Sequence, residues 1–483
     1  MPTIQPTHWT PQRSNRPSLS RPLGQYPLEN TTPVQFSAAS KRPYPKPKAK
    51  QWFLNLLSLP SSLYIRVRHN IEKVSVRGEE QVKEALEKGH RVIIAPNHPG
   101  HGDTLMTHPM YKAVGKPFNI MVADFFFTNR FISEKWRHRI LNARGMFPLN
   151  REIPDKQALS AAIEVVETGK HPLVVFPEGI STGRNDELGE LKEGIAMIAT
   201  RAHESISTPP KIEGKETPQV LIFPTAMRHH YTKPIDQTLS AELGRMEQAY
   251  FGPFADSRGM SLSDRVTRLG FKAIRTIERR VFGDTQDYPV DLAWADCHQQ
   301  SMQGIANHLA KQLGLSLKTN QPMLDQHRDL TGKIKLIEIE KSSAKRSDRK
   351  QWQALKKALL PHLNALYEML KLSPEYTLAP QSNDARHLHR LAEGLYRIEA
   401  IMNGGQSEVM SQIGPRHTAI VYGKPVNVSQ IVQEQQRQTE QTGIIVNAKT
   451  LRKKIMGAVK QELETLLKDN APPIPEKKIP EKK

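Results

Sequence analysis

The chain has 483 residues, which at ~150 per domain allows a few domains and a sizeable core with no need of disulfides or metals. Its 69 Lys and Arg outnumber its 49 Asp and Glu, a formal net charge of +20, so anionic partners are expected: nucleic acid, an anionic bilayer surface or phosphorylated substrates. Cys297 is the only cysteine, which excludes an intramolecular disulfide framework and a Cys-rich zinc module and fits a reducing compartment. No run reaches the ~18 apolar residues of a spanning helix, so the chain is not expected to be an integral membrane protein.

Residues 1–50 are rich in Pro and basic residues, with Glu29 the only acid, and end in the alternation Pro43, Pro45, Lys46, Pro47, Lys48, Lys50. Such a composition buries too little apolar surface to offset the entropy of ordering and predicts a disordered cationic tail. It lacks the apolar stretch of a secretory signal, while its Arg, Ser, Thr and Pro content leaves organelle targeting open. Residues 51–73 combine Trp52, Phe53, Leu54, Leu56 and Leu57 with a break at Pro60, then Leu63, Tyr64, Ile65 and Val67 among Arg66, Arg68 and Lys73. Trp, Phe and Leu mixed with cations suit an anionic membrane interface, and plain packing on the next domain is the alternative.

Residues 74–240 alternate short apolar runs with helix-like stretches, the pattern of an α/β domain in which helices flank a sheet. Strands are predicted over Val92 to Ala95, Asn119 to Val122, Leu173 to Phe176 and Val220 to Phe223. A helix is predicted from Asp155 to Gly169, where Ala158, Ala161, Ala162, Val165 and Val166 recur at helical spacing. Residues 241–415 read as a mostly helical insertion or second domain, with helices over 269–282, 305–317, 352–372 and 388–402. Gly252-Pro253, residues 318–322 and Gly404-Gly405 supply the turns between them. Residues 416–470 predict a returning strand (418–422), the turn Gly423-Lys424-Pro425 and a closing helix (451–467), and residues 471–483, repeating Pro, Glu and Lys, a second disordered tail.

Three of the predicted strands run into polar residues. After the first comes Asn97-His98-Pro99-Gly100-His101-Gly102-Asp103, a His and an Asp among glycines that let a substrate approach the backbone, suited to a base and its orienting acid. A metal is the rival, since His98, His101 and Asp103 lie close, but no second ligand cluster follows at a familiar spacing. Gly145-Met146-Phe147-Pro148-Leu149-Asn150-Arg151 places an Arg where its planar fork can clamp an anion, or form a surface ion pair. Phe176-Pro177-Glu178-Gly179 leads into a polar loop through Ser181, Thr182, Arg184 and Asn185, where Glu178 can accept a hydroxyl or pair with an Arg. Phe223-Pro224-Thr225-Ala226 by itself marks strand termination.

In this order, the four segments resemble the glycerolipid acyltransferase family of the lysophosphatidate (1-acylglycerol-3-phosphate) acyltransferase type. Asn97, His98 and Asp103 match its first block, Asn-His, four residues, then Asp. Gly145, Phe147 and Arg151 match the second, Phe176, Pro177, Glu178 and Gly179 the third, and Ile222, Phe223 and Pro224 the fourth. The resemblance covers residues 74–232 and returns at 421–426, where Gly423-Lys424-Pro425-Val426 is similar to a late Gly-x-Pro-Ile segment. It leaves 240–410 unexplained. Ile180, Ser181 and Thr182 stand where the family commonly has Thr-Arg-Ser, and the nearest Arg is Arg184, which bears on acceptor identity.

The resemblance implies a one-step acyl transfer from acyl-CoA or an acyl carrier protein to a lysophospholipid hydroxyl, with no covalent enzyme intermediate and no metal or prosthetic group. In this reading His98 is the general base and Asp103 its orienting carboxylate. Amides near Gly100 to Gly102 hold the oxyanion, and Arg151, Glu178, Gly179 and Arg184 position the acceptor. Asn97, Gly145, Phe147, Phe176, Pro177 and Pro224 support the site. The protein is then expected on the cytoplasmic face of a membrane, with an anionic bilayer and no nucleic acid as partner. The alternatives are an inactive membrane or acyl-lipid binding protein of the same fold, and a nucleic-acid binder supported by charge alone.

Overall fold

The computed structural model describes residues 44–100, 102–127, 134–207, 217–253, 256–284, 292–318, 320–341, 345–379, 384–404, 407, 409–443 and 447–469. Most of the predicted N-terminal tail, the C-terminal tail and His101 lie outside the described residues.

The first elements are α1 (Gln51–Leu56), α2 (Ser58–His69), β1 (Ile71–Arg77) and α3 (Glu79–Glu87). They lead to β2 (Arg91–Pro96), α4 (Asp103–Val114), β3 (Asn119–Ala123), α5 (Glu134–Ala143), β4 (Met146–Leu149), α6 (Lys156–Thr168), β5 (Leu173–Val174), α7 (Gly194–Ser207) and β6 (Val220–Tyr231). A run of helices follows: α8 (Asp236–Phe251), α9 (Leu262–Phe282), α10 (Trp294–Gln312), α11 (Met323–Lys341), α12 (Arg346–Lys371), α13 (Pro374–Leu378), α14 (Asp384–Met402) and α15 (Val409–Ile413). The chain then returns through β7 (Arg416–Tyr422), β8 (Val426–Asn427), α16 (Val428–Thr442) and α17 (Ala448–Asp469).

Among the described residues the strands form one eight-stranded sheet in the order β1-β7-β6-β2-β5-β3-β4, with β8 beside β6. Pairings are parallel except those of β6 with β7 and β8. Successive residues of β2 point to opposite faces. Val92 and Ile94 join Met106, Met110 and Phe118 under α3 and α4, while Ile93 and Ala95 join Ala162, Val166 and Ile198 under α6 and α7. Helices thus cover both faces, and each fully buried aliphatic side chain contributes roughly 1.5–3 kcal/mol. The helices between β6 and β7 carry a core of their own, around Leu269, Ile277, Trp294, Leu309, Leu363 and Leu395.

The four predicted strands are present, as are the helix after Asp155, which caps α6 by accepting from Ala158 N at 2.9 Å, and the returning strand and closing helix. Strands β1 and β4 escape the apolar-run pattern because each lies at a sheet edge; an edge position also tolerates Pro148 in β4. Pro60 does not break the chain where expected. It sits in the first turn of α2, where no intrahelical acceptor awaits its missing N–H, and the break falls at Leu57.

Strand β6 also runs past Pro224. Its first half pairs with β2 and its second, Thr225 to Tyr231, with β7. The Pro224 carbonyl accepts from Gly423 N at 2.8 Å, so the proline's missing donor faces the turn between β7 and β8. Residues 44–50, assigned by composition to the disordered tail, lie along the domain. Lys48 N and Lys50 N donate to the Asn142 and Ala143 carbonyls at 3.2 and 2.9 Å, satisfying the open C-terminal end of α5, and the Tyr44 hydroxyl donates to the Pro148 carbonyl.

Candidate active site

The first motif lies between the carboxyl end of β2 and the start of α4, the end of a parallel sheet where ligands gather. Asp103 is completely buried at the head of α4 and accepts hydrogen bonds from two near neighbours and one remote ring. Its Oδ2 takes His98 Nδ1 at 2.8 Å and Gly100 N at 2.7 Å, and its Oδ1 takes His229 Nε2 at 3.2 Å. Burial alone raises a carboxyl, but the hydrogen bonds from His229 and His98 outweigh it and hold Asp103 well below the usual carboxylate range. An ionised carboxylate only accepts, so Nδ1 of His98 carries the hydrogen and Nε2 keeps its lone pair. His98 retains 19% side-chain exposure against 0% for Asp103, and its ring leans on Phe176 with centroids 4.6 Å apart. The Gly100 amide is committed to Asp103, which removes it from the expected oxyanion role.

Glu178 stands 2% exposed behind this pair. Its Oε1 accepts His98 N at 2.6 Å and its Oε2 Gly189 N at 2.8 Å, so the carboxyl holds two backbone segments together. Burial pushes it upward despite those two hydrogen bonds. The Pro177 carbonyl accepts Lys192 N at 2.9 Å, and Thr182 N returns to the His98 carbonyl at 3.0 Å, closing the loop around His98. Asn97 is fully buried and exchanges two hydrogen bonds with the Met227 backbone, at 2.6 and 3.1 Å, fixing the end of β2 to β6.

Arg151 reaches the third motif from the second, its Nη1 donating to the Gly179 carbonyl at 2.7 Å, with the Tyr367 hydroxyl as a further partner. Gly145 turns the chain at φ +80°, where a Cβ would meet the Phe118 carbonyl at 2.1 Å, and Phe147 is fully buried beneath. Arg184 is directed elsewhere. Its Nη2 meets Ser373 Oγ at 3.1 Å at the head of α13, while Asn185, Asp186 and Glu187 are held by β6, Tyr376 and Arg390. The residues after Gly179, where the sequence departs from the resemblance, are therefore shaped by the helices between β6 and β7.

Two residues of the site have no motif to announce them. His229, 3% exposed, joins Asp103 through Nε2 and Thr418 Oγ1 of β7 through Nδ1 at 2.8 Å. Its only sequence signal is the pair His229-His230 in a strand, read as past its end. His69, at the C-terminus of α2, lies over Gly102, and burial together with the Arg416 charge lowers it to about 4.

A buried Asp thus faces a half-open His at the carboxyl end of a parallel strand, inside the segment that the comparisons with known proteins cover. Residues 73–228 match the sequence model of the acyltransferase family. A relative in Streptococcus pneumoniae (strain ATCC BAA-255 / R6), named 1-acyl-sn-glycerol-3-phosphate acyltransferase, is 33% identical over 171 residues, 35% of this chain and 54% of the relative. The chain thus spans about half the length of the curated relative it matches. No solved structure matches.

Proposed function

We propose that the chain transfers a fatty acyl group from a thioester of coenzyme A or acyl carrier protein to the free hydroxyl of a lysophospholipid, with 1-acylglycerol 3-phosphate the acceptor and phosphatidate the product. The observation that carries this reading is the 2.8 Å contact between His98 Nδ1 and a fully buried, ionised Asp103. It leaves Nε2 of His98 as the proton acceptor. Nε2 takes the acceptor's hydroxyl proton while the oxygen attacks the thioester carbon. The carbon–sulfur bond then breaks, and the proton passes from the imidazolium to the departing thiolate. Asp103 stabilises the imidazolium in between, and Arg151 beside Gly179 receives the acceptor's phosphate.

Surface chemistry supports work at a bilayer. Trp52, Leu59, Leu63 and Val67 on α1 and α2 are 64%, 82%, 63% and 71% exposed, with Lys50, Arg66 and Arg68 among them. The same helix ends in His69 over Gly102, so a lipid taken up at this face arrives beside the catalytic loop. Among the described residues no helix is long and apolar enough to cross a membrane, and the proposed location is the cytoplasmic surface. The test is transfer from labelled acyl thioesters to a panel of lysolipids, wild type beside His98→Ala. Phosphatidate that falls by about 10² or more in the variant is expected. No product with any acceptor, from folded protein that still binds vesicles, would instead indicate an inactive lipid-binding protein.

A further inference from the structure

Helix α11 lies outside the acyltransferase segment, yet one of its faces is built onto it. Arg328, Gly332 and Lys335 recur at i, i+4 and i+7, so they share a stripe along the helix. At Gly332 the backbone approaches so closely that a Cβ would stand 2.6 Å from the Glu152 carbonyl. Lys335, 4% exposed, bridges Asp124 at 2.9 Å and Glu152 at 3.0 Å. These two contacts fix α11 against the loop that carries Arg151. They also occupy the two carboxylates nearest to Arg151, whose guanidinium is held by neutral oxygens, the Gly179 carbonyl and the Tyr367 hydroxyl.

One turn earlier on the stripe, Arg328 covers the open side of Gly179, its Nη2 only 2.9 Å from where a Cβ would be. Gly179 has φ +69°, a conformation glycine adopts without strain, and a side chain there would displace the guanidinium. The carboxylate paired with Arg328 is Asp325 at 3.3 Å, which Lys192 also contacts at 3.4 Å. Two guanidiniums, one from each part of the chain, therefore converge on one glycine, with one partly exposed carboxylate shared between Arg328 and Lys192. Each presents a planar fork suited to a phosphate oxygen pair.

We infer that Arg328 completes the acceptor site, so that Arg151 and Arg328 together clamp a terminal phosphate monoester and α11 selects phosphorylated acceptors. The inference rests on the acyl-transfer reading above. A phosphate monoester also occurs on coenzyme A, so donor and acceptor must be titrated separately. The experiment measures KM for lysophosphatidate, for neutral monoacylglycerol and for acyl-CoA in wild type, Arg328→Gln and Arg328→Lys, with thermal melts confirming folding. Expected for Arg328→Gln is a KM for lysophosphatidate raised about tenfold or more, the loss of one charge-assisted contact, with kcat, the acyl-CoA KM and any monoacylglycerol rate little changed. Arg328→Lys keeps the charge and should recover part of the loss.

An unchanged lysophosphatidate KM would overturn the inference, as would a change confined to the acyl-CoA KM, which would assign the cation to the donor. Should wild type acylate no lysolipid, the reading of function fails by itself. Calorimetry of glycerol 3-phosphate with wild type and Arg328→Gln then still decides the anion site: weaker binding in the variant supports it, and equal binding or none overturns it.

Discussion

Asp103→Asn separates the charge of Asp103 from its geometry. In many His–Asp pairs such a change puts an amide NH2 against the imidazole Nδ1–H and reverses the tautomer, at a loss of about 10⁴. Here the second oxygen faces His229 Nε2 at 3.2 Å, and His229 Nδ1 faces the Thr418 hydroxyl, which can accept as well as donate. The asparagine can therefore keep its carbonyl on His98 Nδ1 and Gly100 N and turn its NH2 to His229, which shifts its own hydrogen to Nδ1. Only the charge is lost. Exchanging a charge-assisted for a neutral hydrogen bond removes about 1–1.5 kcal/mol of imidazolium stabilisation, so kcat/KM should fall roughly tenfold. In Asp103→Asn/His229→Ala the NH2 has no acceptor and the loss should approach that of His98→Ala. The assay is thiol release from acyl-CoA across pH 5–9 with saturating lysophosphatidate. If Asp103→Asn alone is as inactive as His98→Ala, His229 does not play this part.

Glu393 on α14 is 4% exposed, and burial raises it to about 7 against the opposing charges of Arg397 and Arg416. Folded protein then binds more protons than unfolded between about pH 4.5 and 7, so this group's contribution falls as pH rises through that window. Glu393→Gln should accordingly stabilise the protein at pH 8, by on the order of 2–3 kcal/mol, and little at pH 4.5, as urea melts at both values would show. Leu59→Asp/Leu63→Asp alters two side chains 82% and 63% exposed, so the melting temperature should hold while affinity for anionic vesicles drops by tenfold or more in a sedimentation assay; unchanged affinity would move the membrane surface elsewhere. Gly145→Ala brings a Cβ to 2.1 Å from the Phe118 carbonyl at φ +80° and should cost about 2 kcal/mol or more, with lowered soluble yield.

What could be read from the sequence was whatever is encoded at short range. His98 and Asp103 stand five residues apart, near enough in the chain for their spacing to point to the contact they make. Strand β2, buried on both faces, reads as an apolar run, and Asp155 announces α6 because an N-cap is local chemistry. The partners that complete the site are remote. His229 stands 126 residues from Asp103, and Thr418 a further 189 beyond it. No spacing rule predicts which register brings them together. Glu178 shows a subtler limit: its residue type suggested contact with substrate, while its two oxygens are occupied by the amides of His98 and Gly189, which only a folded backbone can place.

The path of β6 explains why the helices between β6 and β7 belong to the site. His229 reaches Asp103 because β6 continues past Pro224, and that continuation is paired from Thr225 to Tyr231 with β7, which the chain makes only after α8 to α15. On the way, those helices supply Tyr376 and Arg390 to the loop after Gly179 and Arg328 to Gly179 itself. Joining the ends of β6 and β7 with a short linker would preserve the pairing that holds His229 against Thr418. The same excision would release Asp186 from Tyr376 and Arg390 and free Thr182 and its neighbours, which close over the carbonyl of His98. The proposed catalytic pair and the loop after Gly179 thus depend on different parts of the same long connection, so on the proposed reading damage to the loop should appear in KM before it appears in kcat.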